Sequence, residues 1–304
     1  MAVIATNALT KRYPRVTALD ELTTEVGTGV TGLVGANGAG KSTLLKILLG
    51  LIPPTAGSAI VLGHDVVTGG EAVRALVGYM PEHDCLPPDV SATEFVVHLA
   101  QMSGLPATAA RERAADVLRH VGLDEARYRP IGGYSTGMKQ RVKLAQALVH
   151  DPKLVLLDEP TNGLDPAGRN EMLALVRRIG TEFGIPVLIT SHLLGELEHV
   201  CDQLVVLDGG RLLRSESRAA LTSETGVLAV EVRDLSGRDR LAAALQRSGA
   251  HAWADGPLVL IELTADDLYD VVRDTIAELG LGVVRVEPHR HRLEELFAGG
   301  AANV

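Results

Sequence analysis

The chain has 304 residues, of which 46% are hydrophobic and 22% charged, a composition typical of a globular protein with room for two domains. Its net charge of −9 argues against a general nucleic-acid binder, which would normally carry a basic face. Its two cysteines lie far apart and no apolar run is long enough to cross a bilayer, so we expect neither a disulfide framework nor a membrane-spanning chain.

The first 80 or so residues are predicted to alternate short strands with turns, apart from one helix. Runs of strand-like composition cover residues 2–13, 22–35 and 57–66. The helix-prone run STLLKILLG, residues 42–50, follows the second of them and ends at a glycine. This strand–loop–helix order places the loop between them at the end of a strand.

That loop lies in GLVGANGAGKST, residues 32–43, and fits the phosphate-binding pattern G-x-x-x-x-G-K-[ST]. Glycines let successive backbone N–H groups point at anionic oxygens, and the following helix adds its positive N-terminal end. Lys41 can reach the outer phosphates, and the Ser42 hydroxyl can hold Mg²⁺. The sequence therefore predicts nucleotide binding. The candidate ligands in this loop are Gly35, Asn37, Gly38, Gly40, Lys41, Ser42 and Thr43.

A helical region follows, and we expect a helical subdomain at about residues 85–150. Ser91 and Glu94 have the spacing of a capping box at the start of a helix. A second amphipathic helix is predicted over residues 108–122. The apolar face expected for the first helix consists of Phe95, Val96, Leu99 and Met102.

From residue 153 the pattern becomes strand–helix–strand, with apolar runs at 153–160 and 185–192 around a helical stretch at 167–184. This pattern is typical of a buried parallel sheet. Asp158 and Glu159 follow the first apolar run. Asp158 is positioned to bind Mg²⁺, and Glu159 can polarise an attacking water as a general base.

Six motifs together resemble those of the ATP-binding subunits of ABC transporters, over roughly residues 1–215. In chain order they are the phosphate loop, GYMPEHD at 78–84, YSTGMKQR at 134–141, LVLLDEP at 154–160, GLD at 163–165 and the switch histidine, His192. The resemblance implies an α/β P-loop NTPase of ABC type, with a mixed-sheet core, an antiparallel β subdomain and a helical subdomain.

The resemblance also assigns roles to residues. It implies ATP and Mg²⁺ as cofactors, catalytic roles for Glu159, His192 and Lys41, and metal ligation by Ser42, Glu82 and Asp158. The further nucleotide contacts that it implies are Tyr13, which would stack on adenine, and Ser135, Gly137 and Asp165. In the family, the signature around Ser135 binds the γ-phosphate held by the opposite subunit of a head-to-tail dimer.

The chain departs from the family pattern at three positions. Thr136 replaces the usual first glycine of the signature, and Met138 replaces its usual glutamine. We expect function to survive, because Ser135 and Gly137 keep the anion-binding chemistry. The larger departure is Glu82, where most of the family carries glutamine.

The tail is predicted to form a separate domain at residues 226–304, after a linker at 216–225. Its order of elements, β-α-β-β-α-β, suggests a small α+β ferredoxin-like unit. The finer features expected there are a hairpin turning at Asp255-Gly256, a helix capped by Thr264 and a short closing helix at 290–300.

The resulting hypothesis is an ATPase subunit at the cytoplasmic face of the membrane, paired with itself or a paralogue and driving a separate transmembrane permease. YSTGMKQR, the glutamate of YMPE and RLEELF near the end resemble a branch composed mostly of bacterial exporters. One alternative is a soluble ABC protein acting on ribosomes or DNA, although such members usually carry two ATPase halves or coiled-coil insertions. The other is a regulator that binds ATP without hydrolysis, against which Asp158, Glu159 and His192 argue.

Overall fold

The computed structural model describes residues 2–217, 227–263 and 268–288. The chain divides into two compact units, Met1–Arg218 and Ala219–Val304.

The first unit contains two sheets in the described part of the chain. The antiparallel sheet has the order β2-β1-β4-β5. The mixed sheet has the order β10-β9-β3-β8-β7-β6, with β10 antiparallel to its neighbour and the other strands parallel. The strands are β1 (Ile4–Tyr13), β2 (Val16–Val26), β3 (Val30–Val34), β4 (Ala56–Val61), β5 (His64–Asp65), β6 (Val77–Met80), β7 (Leu154–Leu157), β8 (Val187–Ser191), β9 (Gln203–Asp208) and β10 (Arg211–Ser217).

Helices surround these sheets, and none of those described in the chain is long and apolar enough to cross a membrane. One hydrophobic cluster joins helix α1 to both sheets, so the helix after the phosphate loop is anchored in the core. The helices of this unit are α1 (Lys41–Leu48), α2 (Gly70–Leu76), α3 (Ala92–Met102), α4 (Ala107–His120), α5 (Thr136–Leu148), α6 (Pro166–Thr181) and α7 (Leu194–Leu197).

The mixed sheet explains where the site forms. Strands β3, β7 and β8 are parallel neighbours, so their carboxyl ends lie at one edge. The phosphate loop follows β3, the Asp158-Glu159 pair follows β7, and His192 follows β8. In open parallel sheets this edge is where ligands bind.

Helix α3 confirms the predicted capping box but corrects its predicted apolar face. The Ser91 hydroxyl accepts from the Glu94 N–H, and the Glu94 side chain returns a bond to the Ser91 backbone. The side chains buried on the helix are Ala92, Val96 and Ala100, a stripe at four-residue spacing. Met102, expected on the buried face, is 72% exposed because it lies at the end of the helix, off this stripe.

The prediction of only strands and turns around residue 70 was wrong, because α2 forms there. The helix begins after Gly69 without a side-chain cap and buries only Val73. Seven residues with one buried side chain leave no periodic pattern to detect in the sequence.

The second unit has the strand order β12-β13-β11-β14, with every neighbouring pair antiparallel. This is the order of a ferredoxin-like sheet. The predicted hairpin forms, but its turn is Gly256-Pro257 and not Asp255-Gly256, because Asp255 still pairs with Leu258. Its elements are β11 (Val227–Val232), α8 (Leu235–Arg247), β12 (Ala252–Asp255), β13 (Leu258–Glu262), α9 (Leu268–Glu278) and β14 (Val283–Pro288).

Several predictions for the linker and tail fall at the limits of the described chain. Strand β10 includes Glu216 and Ser217, which the sequence analysis assigned to the linker. The rest of that linker, the predicted cap Thr264 and the predicted helix at 290–300 lie outside the described residues.

Candidate functional site

A cavity of about 510 Å³ opens beside the phosphate loop, a size suited to a small-molecule ligand. It joins the end of β1 and the start of β2 to the loops that follow β3, β6 and β7. The residues that line it are Tyr13, Val16, Ala18, Ala36, Asn37, Gly38, Ala39, Gly40, Lys41, Ser42, Thr43, Glu82 and Glu159. Most of the residues predicted for nucleotide contact within one chain therefore lie around a single cavity.

The phosphate loop owes its shape to two glycines in the left-handed region. Gly38 has φ 87° and Gly40 has φ 101°, conformations that other residues rarely adopt. A side chain on Gly40 would also collide with the carbonyl oxygen of Ala18. Gly40 is the N-cap of α1 and supplies no side-chain hydrogen bond, so the first N–H groups of the helix remain free for an anion.

Lys41, Glu159 and His192 form a continuous polar chain beside this loop. Lys41 is buried; its Nζ donates to the Gly35 carbonyl oxygen at 2.6 Å and lies 3.3 Å from Oε1 of Glu159. The other carboxylate oxygen of Glu159, Oε2, lies 2.9 Å from Nδ1 of His192. The three residues predicted to be catalytic are thus linked through Glu159, and Lys41 is held further by the Gly35 carbonyl.

Asp158, the residue before Glu159, is buried and contacts the hydroxyl groups of Thr190 and Ser42. The Thr190 hydroxyl donates to Oδ1 of Asp158 at 2.9 Å. Burial raises the pKa of Asp158, and the negative charges of Glu82 and Glu159 add to this, while hydrogen bonds from Thr190 and Ser42 oppose it. A cation at this point would relieve the crowding of carboxylates, which is the electrostatic requirement for a metal site.

Glu82 lines the cavity, with its main chain and its side chain each fixed by a neighbour. The Lys143 ammonium donates to the Glu82 carbonyl oxygen at 2.8 Å, and burial lowers the pKa of Lys143. The Asn162 side-chain amide donates to Oε1 of Glu82 at 3.4 Å. A carboxylate here adds a negative charge to the wall that holds Ser42 and Glu159.

No three His, Cys, Asp or Glu side chains in the described ranges are grouped to hold a metal ion by themselves. This arrangement fits Mg²⁺, which commonly takes one or two protein oxygens and completes its octahedron with phosphate and water. Ser42, Glu82 and Asp158 all carry the hard oxygen atoms that Mg²⁺ prefers.

Four predicted nucleotide contacts do not line this cavity: Gly35, whose carbonyl oxygen accepts from Lys41, and Ser135, Gly137 and Asp165. Ser135 is the N-cap of α5, and its hydroxyl accepts from the Met138 N–H at 3.3 Å. Asp165 caps α6 in the same way. A methyl group on Gly137 would meet only Leu164, at 3.8 Å, so packing within the chain leaves room for a side chain there.

Sequence reasoning missed four residues that shape the site. They are Thr190, Asn162, Lys143 and Tyr79, which contact Asp158 or Glu82. Burial and the neighbouring Asp158 raise the pKa of Tyr79 to about 12, so its hydroxyl stays protonated and can donate. Thr190 and Tyr79 lie near the ends of strands that lead to the site. A polar residue at such a position in the sequence was the feature that could have identified them.

Together, the uncapped helix after a glycine loop, the lysine within it and the two acids after a neighbouring strand define a P-loop nucleotide hydrolase. Comparison with known proteins narrows this class. The family described as ABC transporter matches residues 18–162. An uncharacterised ABC transporter ATP-binding protein of Bacillus subtilis is 35% identical over 87% of this chain and 88% of its own length. The chain belongs to the ABC transporter family, as an ATP-binding and ATP-hydrolysing subunit.

Other relatives have more specific names. A daunorubicin/doxorubicin resistance ATP-binding protein of Streptomyces peucetius is 37% identical, over 77% of this chain and 72% of its own length. A Nod factor export ATP-binding protein of Ralstonia nicotianae is 35% identical, over 76% of this chain and 72% of its own length.

Solved structures show the same fold. A subunit of an ABC transporter complex from Clostridium perfringens superposes with a TM-score of 0.68 at 26% identity, over 82% of this chain and 97% of its own. An ATP-binding cassette solved as a dimer with ADP and Pi has a TM-score of 0.65 at 24% identity, over 71% of this chain and 98% of its own.

Proposed function

We propose that this ATPase powers export through a separate transmembrane permease. The contact chain from Lys41 through Glu159 to His192, beside an uncapped helix, carries the ATPase half of the proposal. The names of the relatives, which concern drug resistance and Nod factor export, favour export over the alternative of action on ribosomes or DNA.

Each catalytic residue has a proposed role that follows from its contacts. Lys41 leaves Glu159 and the Gly35 carbonyl to bind the outer phosphates. Glu159 takes a proton from the attacking water, and His192 holds its carboxylate in place. Tyr13, 40% exposed at the mouth of the cavity, offers its ring to the adenine.

A magnesium ion is proposed beside the start of α1, held by Ser42, Asp158 and Glu82. It would supply charge neutralisation for the phosphates and the three carboxylates around them. The raised pKa of Asp158 agrees with this: burial is its main cause and the charges of Glu82 and Glu159 add to it, so a cation would stabilise the ionised carboxylate.

Dimerisation is proposed because part of the predicted nucleotide site lies elsewhere on the surface. Ser135, Gly137 and Asp165 do not line the cavity of their own chain, and Gly137 has open space around it. Two chains placed head to tail would let these groups close over the ATP of the partner. The second chain is either a copy of this one or a paralogue.

The subunit is proposed to act peripherally at the cytoplasmic face of the membrane. Residues 226–304 are proposed to form an accessory or regulatory domain, reached through the linker at 216–225 from an ATP-binding domain at 1–215. A core cluster confined to the tail supports this division.

The permease is tested by purifying the tagged chain from detergent-solubilised membranes of its own cells. We expect an integral membrane protein to co-purify in stoichiometric amount, and the reconstituted pair to hydrolyse ATP faster than the chain alone. An untagged chain is the control. Recovery of ribosomal or DNA-bound proteins, with no membrane protein, would contradict the transport proposal.

Glu82→Gln tests the metal role of the unusual carboxylate. Without metal, the negative charge of Glu82 repels the phosphates, and a unit charge a few ångströms away is worth roughly 1–4 kcal/mol. We therefore expect removal of Mg²⁺ by EDTA to weaken ATP binding about tenfold more in wild type than in Glu82→Gln. ATP titrations of both proteins, with and without Mg²⁺, measure this difference.

Glu71→Gln, on the exposed side of α2, is the matched control for the charge change. It should behave as wild type under both conditions. Equal losses of affinity in wild type and Glu82→Gln would reject metal ligation, and would favour contact of Glu82 with the membrane subunit.

A further inference from the structure

Thr190 connects the two acids of the site through one hydroxyl group. It lies in β8, two residues before His192, and its side chain is fully buried. Its Oγ1 accepts from the backbone N–H of Glu159 at 2.8 Å and donates to Oδ1 of Asp158 at 2.9 Å. A hydroxyl has a single hydrogen, so the bond to Asp158 fixes the direction of the group and leaves its lone pairs for Glu159.

The backbone that Thr190 holds has an uncommon conformation. Glu159 has φ 48°, in the left-handed region that glutamate seldom adopts. Such conformations persist where the surroundings enforce them, and they concentrate at functional sites. The bond from the Glu159 N–H to Thr190 is one such constraint, because it is a short bond between two buried residues.

The contacts of the Glu159 side chain are of a different kind. Lys41 and His192 hold its carboxylate, and Lys41 is expected to leave it for the phosphates when nucleotide enters. Thr190 instead holds the main chain, from a central strand of the sheet. It can therefore keep the direction of the side chain constant through the catalytic cycle.

We propose that Thr190 is a positioning residue for ATP hydrolysis, which ties the backbone of Glu159 to the carboxylate of Asp158. Glu159, the proposed base, and Asp158, the proposed metal ligand, are then held at a fixed distance and orientation. The water that Glu159 aligns is thereby directed at the phosphate that the metal at Asp158 positions. This inference rests on the proposed role of Glu159 as the general base.

The test compares Thr190→Val, which keeps the shape and removes both bonds, with Thr190→Ser, which keeps them. For Thr190→Val we expect kcat to fall about 10- to 100-fold, since a small misplacement of a reacting group has this effect, with KM for ATP nearly unchanged. Thr190→Ser should stay within about threefold of wild type. In sizing experiments with MgATP, Thr190→Val should accumulate a nucleotide-bound dimer.

Thr31→Val is the matched control. Thr31 is an equally buried threonine in β3 of the same sheet, and its hydroxyl lies 3.5 Å from Oε1 of Gln203, away from both acids. It should leave kcat and the dimer population unchanged. Melting temperatures of all variants distinguish unfolding from a mispositioned Glu159 in a folded protein. If Thr190→Val does not fold, Thr190→Ala replaces it.

Three results would overturn the inference: normal kcat in the variants lacking the hydroxyl, failure of serine to restore activity, or equal losses in Thr190→Val and Thr31→Val. Glu159→Gln is assayed in parallel. If it hydrolyses ATP normally, the proposed base is wrong. If it is inactive while Thr190→Val is fully active, only the positioning role fails.

Discussion

Glu159→Gln should reduce the rate of ATP hydrolysis about a thousandfold, within the range expected for removal of a general base. The amide still accepts a hydrogen bond from water but is a very poor base. ATP binding should survive, because the substitution removes a negative charge next to the phosphate site and frees Lys41 from an ion pair at 3.3 Å. The ATP-bound dimer should therefore accumulate.

Two measurements check this result: single-turnover hydrolysis with MgATP, and sizing of the protein with MgATP and with MgADP. Glu171→Gln is the control, because Glu171 is a surface glutamate of α6 whose carboxylate pairs with Arg141 at 2.7 Å. That variant should behave as wild type. Near-normal turnover by Glu159→Gln, without a gain in dimer, would reject Glu159 as the base.

The phosphate loop was predictable from sequence because its chemistry is local. Glycines with positive φ, a lysine and a hydroxyl follow one another in the chain, so their spacing alone places Lys41 and Ser42 at the start of a helix. The acids after β7 were predictable for the same reason. Both follow a short apolar run in a strand–helix–strand pattern, which is typical of a buried parallel strand.

Contacts made across the sheet could not be predicted in this way. Thr190 reaches Glu159 from 31 residues away in the sequence, and Lys143 reaches Glu82 from 61. These pairs depend on strand order and on how α5 packs against β6, neither of which leaves a local pattern. A threonine within an apolar strand is an ordinary β-forming residue, and its contacts with the two acids cannot be inferred until the neighbouring strand is known.

The fold shows the same division between local and distant information. The capping box of α3 and the hairpin turn at Gly256 depend on residues that are close together in the sequence. Helix α2 was missed because it buries only one side chain. Met102 was wrongly assigned to the buried face of α3 because helical periodicity does not show how far along the helix the neighbouring elements pack against it. Amphipathic patterns identify a helix more reliably than they identify the edge of its buried face.

Lys41→Met should abolish most ATP binding, weakening affinity about a hundredfold or more. Loss of one partner from a buried, hydrogen-bonded charge pair costs about 2–5 kcal/mol. Among the described residues that line the cavity, Lys41 is the cationic side chain, and without it the charged side chains there are Glu82 and Glu159. The phosphates would then meet repulsion that the α1 N-terminus and Mg²⁺ must offset alone.

Methionine is chosen because it preserves the length and packing of the lysine stem while removing the ammonium. Lys46→Met is the matched control: it makes the same change in the same helix, at an exposed position. Isothermal titration calorimetry with MgATP should show binding close to wild type for Lys46→Met and little or none for Lys41→Met. Because Lys41 also neutralises buried Glu159, the double variant Lys41→Met/Glu159→Gln should recover part of the lost affinity. Full affinity in Lys41→Met would show that the helix N-terminus and the metal bind the phosphates without the lysine.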